Sequence, residues 1–242
     1  DILPRPVTGA FSAADKVYDG NTDATIIDRW LLDVIPDDGD SVQLIGGIAE
    51  FEDPNAGTDK TVNSTGMTIT GLRAFNYYLD SVVPDLADIF PLQVTASFTA
   101  ADKIYDGNTD ATIVDRLIEG VLPIDTAFVK ITGGTAIFSN SHAEADKLVI
   151  GSDFVLIGAS NINYTISVIP TTTATIFPKP IDIIAVQDIK VYDQTRESDK
   201  IPYPDPDLIP GDTGFFWQVC DDKNVGTGKT MYPEGDIEDG KN

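Results

Sequence analysis

Apolar and polar residues alternate along most of this chain, as a half-buried strand requires, more often than they recur at the spacing of a helix. Val129 and Ile131 point one way while Lys130 and Thr132 point the other; Tyr164, Ile166 and Val168 alternate with Thr165, Ser167 and Ile169. Thr, Val, Ile, Phe and Tyr are abundant, and Gly, Asp, Asn and Pro interrupt the runs at short intervals. The pattern predicts an all-β fold of small antiparallel, sandwich-like modules with roughly six to eight strands each. Only IIDRWLLDVI (26–35) and IVDRLIEGVL (113–122) have a spacing that allows a helical turn.

The pattern repeats. DKVYDGNTDATI (15–26) returns as DKIYDGNTDATI (102–113), 87 residues later. The same offset joins Gly46-Gly47 to Gly133-Gly134, Lys60 to Lys147, Asn76-Tyr77 to Asn163-Tyr164, and Ile89-Phe90-Pro91 to Ile176-Phe177-Pro178. Two full modules follow, residues 5–91 and 92–178. A third, 179–242, begins with Tyr192-Asp193 in register, and its DKNVGTGKT (222–230) matches DPNAGTDKT (53–61) after a shortening of about five residues. Residues 1–4, DILP, match the module ending DIFP (88–91), so the sequence reads as a segment of a longer array whose third module is truncated.

Composition changes this picture mainly through charge. Sixteen Lys and Arg against 39 Asp and Glu give a net charge of -23 over 242 residues, with 42% hydrophobic residues. That field opposes binding to nucleic acid or to an anionic membrane surface, which both require basic residues. No apolar run reaches the length of a membrane-spanning helix, so no membrane insertion is expected in this segment. The start lacks the basic and apolar regions of a signal peptide, so any secretion signal is expected outside it. Cys220 is the one cysteine, which excludes an intrachain disulfide.

The doubled stretch admits a structural reading. Asp19-Gly20 and Asp106-Gly107 suit a type I′ hairpin turn between strand-like DKVY and TDATI, because Gly takes positive φ without strain. Tyr18 and Tyr105 are expected to lay their rings on the core with the hydroxyl at a wet edge, and the stem of Lys16 to cover apolar surface. Tyr192 marks the third copy, where Gln194 replaces Gly. A Gln at positive φ costs on the order of 1–2 kcal/mol, so a different turn is expected there. Asn76-Tyr77 and Asn163-Tyr164 are expected to open a closing strand, with Asn in left-handed backbone and Tyr clamping the corner. Pro91 and Pro178 stand at the module joints, which hold no flexible spacer and so predict semi-rigid linkage.

A chemical reading competes. Asp19, Asn21 and Asp23, and again Asp106, Asn108 and Asp110, have the 1-3-5 spacing of a calcium loop. An EF-hand then needs Gly and Glu where this chain has Ala24 and Trp30, or Ala111 and Leu117, so both copies fail in the same way. A calcium site of another kind stands as the alternative, using these oxygens or Asp37, Asp38 and Asp40, of which only one carboxylate persists in the second module as Asp125. No other cofactor is expected. His142, the one histidine, replaces Asn55 and is expected in an exposed turn, with nothing around it to suggest a triad or a zinc site. The glycine pairs and GTGKT (226–230) lack the full phosphate-loop pattern; a strand bulge or turn is the reading for the glycines. Lys60, Lys147 and Lys229 are expected to pair with nearby carboxylates, at up to about 1 kcal/mol each if exposed. Phe215, Phe216 and Trp217 fit either a core or a sticky edge.

The ordered set K-[VI]-Y-D-G-N-T, N-[AV]-G-T-x-K-T and N-Y resembles the YDG/MBG-type tandem repeats of large bacterial surface adhesins, filamentous-haemagglutinin-like proteins among them. The resemblance covers nearly the whole chain and is weakest in the third module. It implies a secreted, cell-surface or extracellular repeat region that spaces or presents other domains, and it carries no catalytic residue. The expected protein is therefore non-enzymatic, a stalk or spacer whose partners are further repeats of the same polypeptide, with any host ligand bound elsewhere. Two alternatives stand beside it. One is a filament subunit that pairs its open edge strand with other copies of itself; the other is a calcium- or carbohydrate-binding module.

Overall fold

A computed structural model of the chain describes residues 1–168 and 171–238; Ile169, assigned above to a strand face, Pro170 and residues 239–242 lie outside them. The first repeat contains β1 (Arg5–Ala13), β2 (Lys16–Val17), β3 (Asp23–Ala24), β4 (Ile26–Leu32), β5 (Gln43–Phe51), β6 (Gly57–Thr70), β7 (Tyr77–Val82) and β8 (Asp85–Phe90), with 3-10 turns at Pro36–Ser41 and Ala74–Asn76. The second contains β9 (Leu92–Ala100), β10 (Lys103–Ile104), β11 (Asp110–Ala111), β12 (Ile113–Glu119), β13 (Lys130–Phe138), β14 (Glu144–Ile157), β15 (Tyr164–Val168) and β16 (Thr172–Phe177), with one 3-10 turn at Asn161–Asn163. The third supplies β17 (Asp182–Ile184), β18 (Tyr203–Asp205), β19 (Thr213–Cys220) and β20 (Met231–Glu238).

The fold is all-β, as the alternation requires. Each full repeat forms a three-stranded sheet, β4-β1-β7 or β12-β9-β15, and a five-stranded sheet, β2-β8-β6-β5-β3 or β10-β16-β14-β13-β11. The sheets are mixed, a correction to the purely antiparallel expectation. β1 runs parallel to β7 (Arg5 opposite Tyr77) and β2 parallel to β8 (Lys16 opposite Ile89), and the second repeat does the same with β9–β15 and β10–β16. Parallel neighbours need a long crossover, and the strands lying between them in sequence provide it. The stretches 26–35 and 113–122 hold β4 and β12, and no helix.

The long strands explain the paired glycines. Leu44 and Ala49 are both buried although five residues apart, and so are Val62 and Met67 across the ladder. An odd spacing puts two strand residues on opposite faces unless the alternation slips. Gly46, Gly47 and Gly66 have φ of 72, 93 and 71°. Both strands thus slip together, and the register runs on from Gly46 opposite Met67 to Ile48 opposite Thr65. The glycines make a twin phase change within the paired strands, in place of the expected bulge or turn.

Packing does not follow the 87-residue period that separates 5–91, 92–178 and 179–242. One compact unit comprises Asp1–Ser97, Arg116–Gly133 and Phe154–Ile169; the other comprises Phe98–Asp115, Gly134–Asp153 and Pro170–Asn242. In the first unit Phe11, Tyr18, Phe51, Val62 and Ile89 of the first repeat share one core with Val94, Val129 and Tyr164 of the second. A sandwich is thus completed by two successive repeats. Each fully buried Val, Ile or Phe in it contributes roughly 1.5–3 kcal/mol.

In the third repeat β19 pairs with β20 alone among the named strands, Cys220 opposite Met231. Phe215 and Trp217 lie on the exposed face of β19, and Phe216 on the other, half-buried. β20 carries Pro233, Glu234, Asp236 and Glu238, a combination that resists edge-to-edge pairing.

Candidate functional site

The Tyr-Asp-Gly stretch is a corner closed by lysine. β2 and β3 do not pair with each other; β2 joins β8 and β3 joins β5, so the expected hairpin is absent. Gly20 takes φ 82° while Asp19 stays out of the left-handed region, which excludes a type I′ turn. Asp19 Oδ1 instead accepts the Asn21 amide at 3.1 Å, and Asn21 Oδ1 accepts the Asp23 amide at 2.9 Å. These are Asx turns, in which a short polar side chain replaces a backbone partner.

Lys16 Nζ sits in the middle, 2.8 Å from Asp19 Oδ1, 2.9 Å from the Asn21 carbonyl and 3.0 Å from Asn21 Oδ1. It also lies 5.6 Å from the centre of the Phe51 ring. Lys103 repeats the arrangement with Asp106, Asn108 and Phe138. Lys190 does so with Asp193 and Thr195. Burial works to raise the Asp19 and Asp106 carboxyls, and the lysine and the Asx amide outweigh it, holding both below the ordinary range. Asp193 is lowered to about 2 by the Thr195 amide first and Lys190 second. Gln194 takes φ 69°, so the third copy keeps the turn that it was expected to abandon; the Thr195 contacts and Lys190 hold it there.

Two of the three oxygens in each expected calcium set therefore face an ammonium group. Asp23 and Asp110 enter the ladder of β3 and β11 and take no part. Among the described residues no group of three or more His, Cys, Asp and Glu side chains is arranged to hold a metal ion. The expected result of adding millimolar calcium is a melting temperature that moves no further than it does with magnesium at equal ionic strength. A rise specific to calcium would reassign these turns.

The tyrosine hydroxyls go somewhere unexpected. Tyr18 is buried, and its hydroxyl donates to Asp125 Oδ2 of the next repeat at 2.7 Å, so there is no wet edge. Tyr164 donates to the same oxygen at 2.7 Å, and the two rings meet edge to face with centroids 5.5 Å apart. Burial first, and the Asp125 hydrogen bond second, push Tyr18 up to about 12 and Tyr164 up as well. In the second unit Tyr105 donates to Asp212 at 2.9 Å. Both contacts span 107 residues of sequence.

A second pair of contacts lies beside the first. Asn163, 1% exposed, accepts the Ala56 amide on Oδ1 at 2.8 Å and donates from Nδ2 to Asn55 Oδ1 at 3.1 Å. Asn76 and Asn163 end 3-10 turns with ordinary backbone, so neither needs the left-handed conformation expected of it. Tyr77 and Tyr164 clamp their own corners, Tyr77 by donating to Asp38 at 2.9 Å. Each opens the penultimate strand of its repeat.

His142 is half-buried, not exposed, and its amide closes an Asx turn on Asn140. Lys60 and Lys147 are both buried, Lys60 on Asp53 at 2.8 Å and Lys147 on Asn140, the His142 carbonyl and Glu144. All three lysines thus pair with carboxylates as expected, and Lys229, on Asp222 at 2.6 Å, does so nearest the surface. Pro91 and Pro178 follow β8 and β16 directly, and one residue separates β8 from β9.

Removing one hydroxyl tests the tyrosine contact. Tyr18→Phe is expected to cost about 1.5–3 kcal/mol, the value of a hydrogen bond to a charged group. Tyr18 binds its proton more tightly in the fold than in the unfolded chain. Its contribution is therefore complete below pH about 10 and is lost as pH rises through about 12. Denaturant midpoints measured from pH 8 to 12 should fall on the alkaline side, and less steeply in Tyr18→Phe.

These features define a class: an array of small all-β repeats hooked to one another by tyrosine, in which the second repeat also closes the core of the first and adds an asparagine hook. The YDG domain family matches residues 3–84 and 90–174, so the chain belongs to that family, in two tandem copies. No curated protein and no solved structure matches it.

Proposed function

We propose that the chain is a non-enzymatic spacer, a stalk region of an extracellular bacterial surface adhesin that holds other parts of the polypeptide at a distance. The observation that carries this reading is the recurrence of one contact: Tyr18 to Asp125 and Tyr105 to Asp212, at the same separation. A spacer needs the same junction at every step, and chemistry at the junction that resists slippage. A tyrosine–carboxylate bond, buried at the first junction and half-buried at the second, supplies both, and at the first it is backed by the asparagine bond to Ala56. The acidic surface keeps neighbouring arrays apart through like-charge repulsion.

The perturbed groups of this site are engaged in joining repeats. Their partners are each other, which distinguishes them from acids and bases waiting for a substrate. Intact producing cells labelled with antibody against this chain test the location. Surface label, removed by added protease, is the expected result; label that appears only after lysis would overturn the surface role.

A further inference from the structure

We infer that the β4-β1-β7 end of the first repeat is a receiving surface for the Tyr-Asp-Gly corner of another YDG repeat joined ahead of it. The inference rests on the junction reading above and names the partner that the junction takes at this end.

The same surface occurs in two settings. In the second repeat Val94, Val129 and Tyr164 belong to the large core built with the first repeat, and Leu122 packs against it. Their counterparts 87 residues earlier, Val7, Val42 and Tyr77, form a small cluster of their own. Ile35, the counterpart of the half-buried Leu122, is 45% exposed. Asn163 is buried on Ala56 and Asn55, whereas Asn76 is exposed and makes no side-chain hydrogen bond within the described residues.

The acceptor is also in place. Asp38 is as buried as Asp125 and takes the hydroxyl of its own Tyr77 on Oδ2. Where Asp125 receives Tyr18 as well, Asp38 has the Arg73 guanidinium 2.9 Å from Oδ1, on a side chain 58% exposed. Arginine thus holds the carboxylate on this face and is free to swing away. The occupant follows from what already sits on the equivalent face: a buried tyrosine that follows a lysine by two residues, and an amide at the Ala56 position.

The test inserts a copy of residues 5–91 after Pro4 of the full chain, which places its tyrosine 107 residues ahead of Asp38. Asn76→Ala is expected to leave the melting temperature of the natural chain unchanged, and to lower that of the extended chain as far as Asn163→Ala lowers the natural one. Hydrogen exchange reads the same contact without a variant: the amide of the added Ala56 should be as protected as Ala56 itself. An Asn76→Ala substitution silent in both chains, or a freely exchanging added amide, would overturn the proposal. So would a natural chain that dimerises in sedimentation and is made monomeric by Asn76→Ala, since the occupant would then be a second copy. If Asn163→Ala is itself silent, the junction reading falls first, so the two failures are separable.

Discussion

Asp125→Ala should lower the stability of the first compact unit by about 3–5 kcal/mol, because two buried tyrosine hydroxyls lose their acceptor and a hole opens beside their rings. Asp125→Asn should cost much less. Both hydroxyls reach a single oxygen, Oδ2, and an amide oxygen in that position still accepts two donors. Thermal unfolding of the two variants measures the difference; equal losses would mean that the charge matters and the acceptor does not. The acid limb provides a further check. Burial works to raise the Asp125 carboxyl, but the hydroxyls of Tyr164, Tyr18 and Ser160 outweigh it and hold the group below its ordinary value. Its contribution is thus complete above the unfolded carboxylate value, about 3.9, and is lost as pH falls through the lower folded value. Asp125→Asn should remove that part of the acid dependence.

Gly158→Ala should be nearly as damaging, at about 3 kcal/mol. Gly158 has φ 115°, and a Cβ there would lie 2.0 Å from the Phe128 carbonyl oxygen. Left-handed backbone costs roughly 1–2 kcal/mol for an L residue, and an overpacked contact adds roughly 1–3 kcal/mol. Gly71, its counterpart in the first repeat, has φ 121° and would place a Cβ 2.2 Å from the Ser41 oxygen. Gly71→Ala is expected to behave alike. In both places the obstacle is backbone, which cannot rotate out of the way. Gly66→Ala is the control: it shares positive φ, at 71°, but meets nothing within 4 Å. It should show only the backbone part of the loss.

The strand class and the 87-residue period were legible because alternation and repetition are written in every residue. The parallel pairings were not, since alternation specifies a face and says nothing of the direction of the neighbour. The corner was half legible. Spacing placed Asp19 and Asn21 together, but periodicity within one strand cannot show that Lys16 reaches across the turn to fill the space between them. The tyrosine–aspartate hook left a fainter trace. Asp38, Asp125 and Asp212 stand at successive 87-residue steps, and they are the persistent members of a cluster whose other acids vanish. Persistence through the repeats marked the carboxylate that mattered. Its partner lies 107 residues away, and no local pattern reports a bond of that length. Buried Lys60 and Lys147 were also hidden, because a lysine on the inner face of a strand reads as polar alternation gone out of phase.

The offset between period and packing has a genetic consequence. Because a sandwich takes its sheets from consecutive repeats, a fragment cut at 92 and 178 inherits part of two cores and completes neither. Loss or duplication of one whole period has the opposite effect. It joins the back of one repeat to the front of another, and tyrosine again meets aspartate across 107 residues. Slippage between the near-identical segments encoding 15–26 and 102–113 would change the number of repeats by whole steps and leave every junction the same. Length in such an array can then change by recombination without any new contact having to evolve.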